Sequence, residues 1–304
     1  MIIIIVLVLL KIKIDIKIYN YINKLYKMKY LGAHIKKNVS ILNTIKDIES
    51  NGGNSLQIFV SSPMNSVLPN LVIIKKESKN IIEYCNTTNF KLVVHGSYVI
   101  NLGSSHINKR YVDLKDRWWI KLLIAELDAC ELLSGIGVVI HVGKYTTFSQ
   151  EEALENMYIS IKYIISYLIS NNYKSKLIIE NPAGVGTELL KTPQEFCKFY
   201  NKFTKNEKKY LGICIDTAHI WSSGFDIIEY YNNFSEKNNI LVVHLNNSKV
   251  KKGALLDRHE YLFDGNINLK DLSSFVSNVE NVIFILEKPS DKYDEEFKWI
   301  KKII

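Results

Sequence analysis

The chain has 304 residues, 47% hydrophobic and 23% charged, enough for one α/β barrel and incompatible with a disordered or fibrous chain. Its four cysteines, Cys85, Cys130, Cys197 and Cys214, form no close pair, which argues against a disulfide framework, a thiolate zinc site and secretion, and for a reducing, intracellular setting. The formal charge of +8 invites a nucleic-acid reading, yet five lysines against Asp15 concentrate +4 of it in residues 1–27, so net charge carries little weight.

The opening MIIIIVLVLL is apolar for ten residues, whereas a membrane span needs about 20. Basic residues follow it instead of preceding it, and no small-residue cleavage site appears, so neither an anchor nor a signal peptide is expected. The alternating KIKIDIKI that comes next fits a strand or an amphipathic add-on. Residues 1–27 therefore read as an extension of unassigned role ahead of a single domain spanning 28–304.

From Met28 onward, short β-type runs alternate with helical periodicity. Strands are predicted near 29–34, 54–60, 91–95, 137–141, 176–180, 211–216, 240–245 and 282–287. Between them, WIKLLIAELDACELL, EALENMYISIKYIISYLI and TPQEFCKFYNKF carry apolar residues three and four apart, as crossover helices do. Eight such units with no internal linker predict a single (β/α)8 TIM barrel, with an open doubly wound sheet as the runner-up.

Chemistry-bearing residues fall at the ends of these strands. His95 follows KLVV, His141 follows GVVI, Glu180 follows KLII, Asp216 follows GICI, His244 follows ILVV and Glu287 follows VIFIL. His219 lies three residues after Asp216, and Asp257 and His259 flank Arg258 in a later loop, where an extended chain turns both side chains the same way. Burying such groups unpaired costs about 2–7 kcal/mol each. Nitrogen and oxygen ligands converging on one barrel mouth instead point to zinc-like ions. For any one of these residues the plainer alternative is a hydrogen-bonded structural histidine, a salt bridge inside the barrel or, for the DRH tripeptide, a solvated charge pair.

The segments HGSYVINLG (95–103), IIENPAG (178–184), GICIDTAHIWSSG (212–224) and HLNNSKVKKGALLDRHEYLFDGNI (244–267) closely resemble the signatures of the endonuclease IV family of apurinic/apyrimidinic endonucleases. CIDTAHIWSSG is especially similar to forms encoded by large DNA viruses, and the likeness extends over residues 28–304. The resemblance implies a barrel with three zinc ions that hydrolyses the phosphodiester 5′ to an abasic site during base excision repair, leaving a 3′-hydroxyl and a 5′-deoxyribose phosphate. Carried over by position, His95, His141 and Glu180 hold the first zinc. Glu180 bridges to a second, completed by Asp216, His244 and Glu287, and His219, Asp257 and His259 hold the third. Glu180, His141 and Glu287 fall among the catalytic groups, and Tyr98 and Val99 match positions that insert into the DNA stack. The implied partner is double-stranded DNA containing abasic sites, bound by a monomer in the cytoplasm, or in the nucleus of a host if the protein is viral. Asn101, Lys109, Arg110, Lys115 and Arg117 are candidate phosphate contacts.

Two departures from the family pattern stand out. FVSSPMNSVLPN follows the second strand, with no Lys or Arg from 53 to 74 where members often present a basic residue, and Val142, Gly143 and Lys144 follow His141 in place of proline, glycine and serine. Two rival readings remain open. One is a metal-dependent sugar isomerase or epimerase, which resembles the Glu180, Asp216, His244, Glu287 set but lacks the third trio. The other is a non-catalytic DNA-binding barrel with structural zinc.

Overall fold

A computed structural model describes residues 29–37, 39–104, 113–287 and 293–304. The extension read over residues 1–27 lies outside the described residues. Eight parallel strands close into a barrel in the order β1–β10–β7–β6–β5–β4–β3–β2. They are β1 (Tyr30–His34), β2 (Ser55–Ile58), β3 (Lys91–His95), β4 (Gly137–His141), β5 (Lys176–Glu180), β6 (Leu211–Asp216), β7 (Ile240–His244) and β10 (Ile283–Leu286). A two-residue antiparallel hairpin, β8 (Asn247–Ser248) with β9 (His259–Glu260), projects from the loop after β7 and is not foreseen by periodicity.

The predicted strands match these within one or two residues. The difference lies at their ends, where Phe59, Val60, Leu245 and Glu287 have left the ladder although their apolar context reads as strand. The crossover helices carry local stop and start signals. Thr192 and Glu195 form a reciprocal capping box around Pro193 at the head of helix Pro193–Tyr200, Ser149 caps Gln150–Ser170, and Asn89 in the left-handed region (φ 54°) ends Leu71–Thr88. Among the described residues no helix is long and apolar enough to cross a membrane.

Alternation along the strands divides the core in two. Leu92, Val94, Val138, Ile140, Leu177, Ile179, Ile213 and Ile215 face outward and pack under the helices. Val93, Val139, Ile178, Cys214, Val242 and Ile285 face inward and plug the barrel. Two residues beyond each inward residue comes His95, His141, Glu180, Asp216, His244 or Glu287. A period of two turns all six side chains to the barrel axis, one layer above an apolar floor.

Candidate metal centre

The inward groups meet at the C-terminal mouth of the barrel. Glu180 is the hub: its Oε2 lies 3.7 Å from His95 Nε2 and 3.5 Å from His141 Nε2, and its Oε1 lies 2.8 Å from His244 Nδ1 and 3.5 Å from His219 Nδ1. His244 Nδ1 is also 3.0 Å from Glu287 Oε2 and 3.8 Å from Asp216 Oδ2. Glu180, Asp216, His244 and Glu287 each offer a ligand atom within 4.8 Å of all the others.

Asp216 links this set to the next one. As N-cap of helix Thr217–Ser222 it accepts from the His219 amide at 2.9 Å, which brings the His219 side chain, one turn on, over the same mouth. His259 Nε2 is 3.4 Å from Asp216 Oδ2 and 3.1 Å from Asp257 Oδ1, and His219 Nε2 is 3.4 Å from Asp257 Oδ2. All nine strand-end and loop groups thus form one connected cluster. Its internal grouping differs in detail from the sequence assignment. The tight triads are His95, Glu180 and His244, and Asp216, His219 and His259, with His141 and Asp257 flanking them.

These distances suit shared cations better than hydrogen bonds. Glu180 Oε2, His219 Nε2 and His259 Nε2 are buried without a hydrogen-bond partner. In a tetrahedral zinc site with bonds of about 2.0–2.1 Å, neighbouring ligand atoms stand about 3.3–3.4 Å apart. The outer nitrogens are already committed: Nδ1 of His95, His219 and His259 faces the carbonyls of Gly96, Asn181 and Glu287 at 2.8, 2.9 and 2.8 Å. Donation there leaves each Nε2 lone pair directed into the cluster, the arrangement that orients metal-ligating histidines. The residues present therefore fit divalent metal ions.

Electrostatics point the same way. Burial drives the His141 imidazole down to about 4, leaving it neutral with a free lone pair at pH 7. Burial also works against charge on His259, but Asp216 and Asp257 carry it up to about 9. Against the same burial, Asp216 and Asp257 hold His219, and Cys214, Glu287 and Glu180 hold His244, well above the usual imidazole range. Burial alone would raise Glu180, yet His244, His141 and His219 keep its carboxyl well below the ordinary value. Four carboxylates crowded against imidazoles create a strong local demand for positive charge.

Sequence reasoning missed the polar groups that surround this cluster. His34, at the end of β1, places Nδ1 2.8 Å from Glu287 Oε1, and Gln57, on β2, donates to the same oxygen at 2.8 Å. Asn181 accepts from the Asp216 amide at 2.6 Å, and Asn246 donates to Asp216 Oδ2 at 2.7 Å. His34 obeys the same strand-end rule as the nine, so that signal was present. The three amides carry no comparable mark.

The predicted DNA contacts separate. Tyr98 is about half exposed and stands at the rim, its ring 5.2 Å from that of His95 and 5.4 Å from that of His141. Val99 instead packs partly buried against the outer core. Asn101 is not a free phosphate donor: Oδ1 accepts from the amides of Lys144 (2.8 Å) and Gly103 (3.0 Å), and Nδ2 donates to the Lys144 carbonyl (3.0 Å), so it staples two loops. Arg117 is buried with its guanidinium 5.7 Å from the Trp119 ring centre, and Lys115 pairs with Asp113 at 3.1 Å on the surface. Lys109 and Arg110 lie outside the described residues. Lys144, after His141, stands 3.5 Å from Glu188. Above the cluster opens a cavity of about 720 Å³ whose walls include His34, Lys36, Lys37, Phe59, Tyr98 and Glu287.

Comparison with known proteins gives concordant likenesses. The family described as xylose isomerase-like TIM barrel matches residues 45–303. A probable endonuclease 4 of Persephonella marina is 30% identical over 274 residues, covering 86% of this chain and 92% of the relative. Among solved structures, endonuclease IV from Thermus thermophilus superposes with a TM-score of 0.70 at 22% identity, covering 90% of this chain and 97% of that one. A D-tagatose 3-epimerase-like protein superposes with a TM-score of 0.67 at 18% identity over 89% of this chain and 96% of its own, a likeness of fold.

Proposed function

The chain belongs to the endonuclease IV family of xylose isomerase-like TIM barrels, and from that premise we propose that it is a zinc-dependent apurinic/apyrimidinic endonuclease, which hydrolyses the phosphodiester 5′ to an abasic site in duplex DNA and leaves a 3′-hydroxyl and a 5′-deoxyribose phosphate. His95, His141 and Glu180 hold a first zinc in this reading. Asp216, His244 and Glu287 hold a second with Glu180 shared, and His219, Asp257 and His259 hold a third. Bound zinc supplies a water acidic enough to attack at neutral pH and positive charge opposite the phosphoryl oxygens. No serine or cysteine nucleophile is then required.

The protein's own groups do the rest. Glu180, His141 and Glu287 line the floor on which the reacting phosphate rests. Tyr98 stands at the rim where a flipped-out, baseless sugar enters, and such a site is the least costly to extrude because it has no base to unstack. The missing basic residue after β2 is offset by Lys36 and Lys37, both exposed on the mouth after β1, where they suit flanking phosphates. All of these groups come from one chain, which fits action as a monomer.

The observation that carries this reading is the trio of His219, Asp257 and His259 joined to the Glu180, Asp216, His244, Glu287 set. The four-group set alone also suits a metal-dependent sugar epimerase on the same fold. The trio adds ligands for which a sugar epimerase has no use and a three-metal phosphodiesterase does. Mapping the cleaved ends of a duplex with one abasic analogue tests the assignment. A polymerase-extendable 3′ end on the 5′ side of the lesion is expected; a product absent or ended by elimination, alongside ketose epimerisation, overturns it.

A further inference from the structure

Glu126 lies in the middle of helix Trp118–Leu132, fully buried, and takes no part in the metal cluster. Among the described residues no lysine or arginine forms an ion pair with it. Its Oε1 accepts from Ser61 Oγ at 2.5 Å and from the Ser97 amide at 3.1 Å, with Oε2 3.4 Å from the same amide. Those donors belong to two different loops at the mouth, one following β2 and one following β3. The loops are also tied directly: the Tyr98 amide donates to the Pro63 carbonyl at 2.9 Å, and Ser97 Oγ to the carbonyls of Pro63 (2.9 Å) and Asn65 (3.3 Å).

A buried carboxylate without a cation is costly, and a helix of this length under a barrel has many apolar alternatives at such a position. Burial pushes the Glu126 carboxyl up to about 7, with the Ser61 and Ser97 donors working against that rise. The turn it holds is tight: a Cβ on Gly96 would stand 2.8 Å from Ile140 Cγ2 and 3.2 Å from Glu126 Oε2, so the chain passes between strand and helix with no room for a side chain. Directly beyond this clamp comes Tyr98, whose ring contacts those of Phe59 (5.3 Å between centres), His95 and His141.

We infer that Glu126 is a positioning residue: by accepting from Ser61 and Ser97 together it locks the two mouth loops to each other and fixes Tyr98 over the metal cluster for recognition of the abasic sugar. This rests on the reading of Tyr98 as a lesion contact. Glu126 acts through Tyr98 and touches no reacting atom.

The test is a double-mutant cycle on the metal-loaded, full-length protein, reading affinity for a duplex with one abasic analogue, affinity for the intact duplex, and bound zinc. E126A should weaken abasic binding about tenfold, the scale of losing charge-assisted hydrogen bonds from a buried acceptor, with zinc content and intact-duplex affinity unchanged. E126Q, which keeps a carbonyl oxygen for both donors, should recover to within about threefold of wild type. In a Y98A background E126A should have no further effect. Should E126A fail to fold, S61A removes one donor from the loop side and should give a smaller loss that Y98A also masks. Additive effects of the two substitutions, a loss of zinc in parallel, or unchanged abasic affinity in E126A and S61A would overturn the assignment. Wild-type protein that loads zinc but makes no incision at the lesion would instead defeat the functional reading beneath it, so the two failures are distinguishable.

Discussion

His244 Nε2 lies 3.0 Å from Gln57 Oε1, and this contact sets which face of the imidazole the metal cluster sees. Gln57 Nε2 must donate to Glu287 Oε1 at 2.8 Å, so the amide oxygen faces His244 and receives its Nε2 proton. The lone pair then sits on Nδ1, the atom nearest Glu180 and Glu287. Replacing Gln57 with Leu removes that constraint. The variant should stay folded while its zinc affinity falls about 10- to 100-fold, the usual cost of losing an orienting partner; a chelator-competition titration measures this, and an unchanged affinity would show that His244 needs no such partner.

Glu180 touches more of the cluster than any other residue, with its two oxygens facing four histidines. Glu180→Gln should therefore lower occupancy at two metal positions together, leaving the ion held by His219, Asp257 and His259. Metal analysis of the purified variant checks the stoichiometry. Loss of one ion or none would contradict a shared carboxylate.

The proton balance gives a third expectation. Without a cation, His219 and His244 are held above the usual imidazole range and His259 at about 9, so at pH 7 these rings carry protons that a metal must displace. Affinity should rise with pH from about 6 toward about 9, and zinc binding at pH 7 should release protons. Titration calorimetry in buffers of different ionisation enthalpy reads the release directly; heats independent of the buffer would rule it out. His141, already neutral, should contribute nothing to that pH dependence.

Much of this architecture is legible in the sequence because of one periodicity. Val93 and His95, Ile178 and Glu180, Val242 and His244 are each two apart on a strand, so an apolar plug residue announces a polar group above it. His34 obeys the same rule and could have been found by it. Gln57, Asn181 and Asn246 could not, since an uncharged amide on a strand or loop has no pattern that separates a buried orienting partner from a surface residue. Asn101 illustrates the converse: a loop amide near a DNA-like motif reads as a phosphate donor, but its hydrogen bonds are consumed by the backbone at Gly103 and Lys144. The hairpin carrying His259 is only two residues per strand, below the length at which alternation is detectable.

Tyr98 is exposed enough to meet a ligand yet braced by aromatic rings on three sides. Tyr98→Ala should weaken binding to an abasic duplex by about 1–3 kcal/mol, the scale of a base–aromatic contact, with zinc content nearly unchanged. Fluorescence anisotropy on matched abasic and intact duplexes separates the two effects. Equal weakening on both would assign Tyr98 to general DNA affinity instead of lesion recognition.

The central claim is that this cluster of nine groups is a metal centre for cleaving DNA at abasic sites, and it is tested most directly by incubating the zinc-loaded protein with a duplex carrying one abasic analogue, with and without a strong chelator. Incision immediately 5′ to the lesion, abolished by the chelator and restored by added zinc, is the predicted result. Absence of incision by fully loaded protein, or incision indifferent to the chelator, would contradict the account.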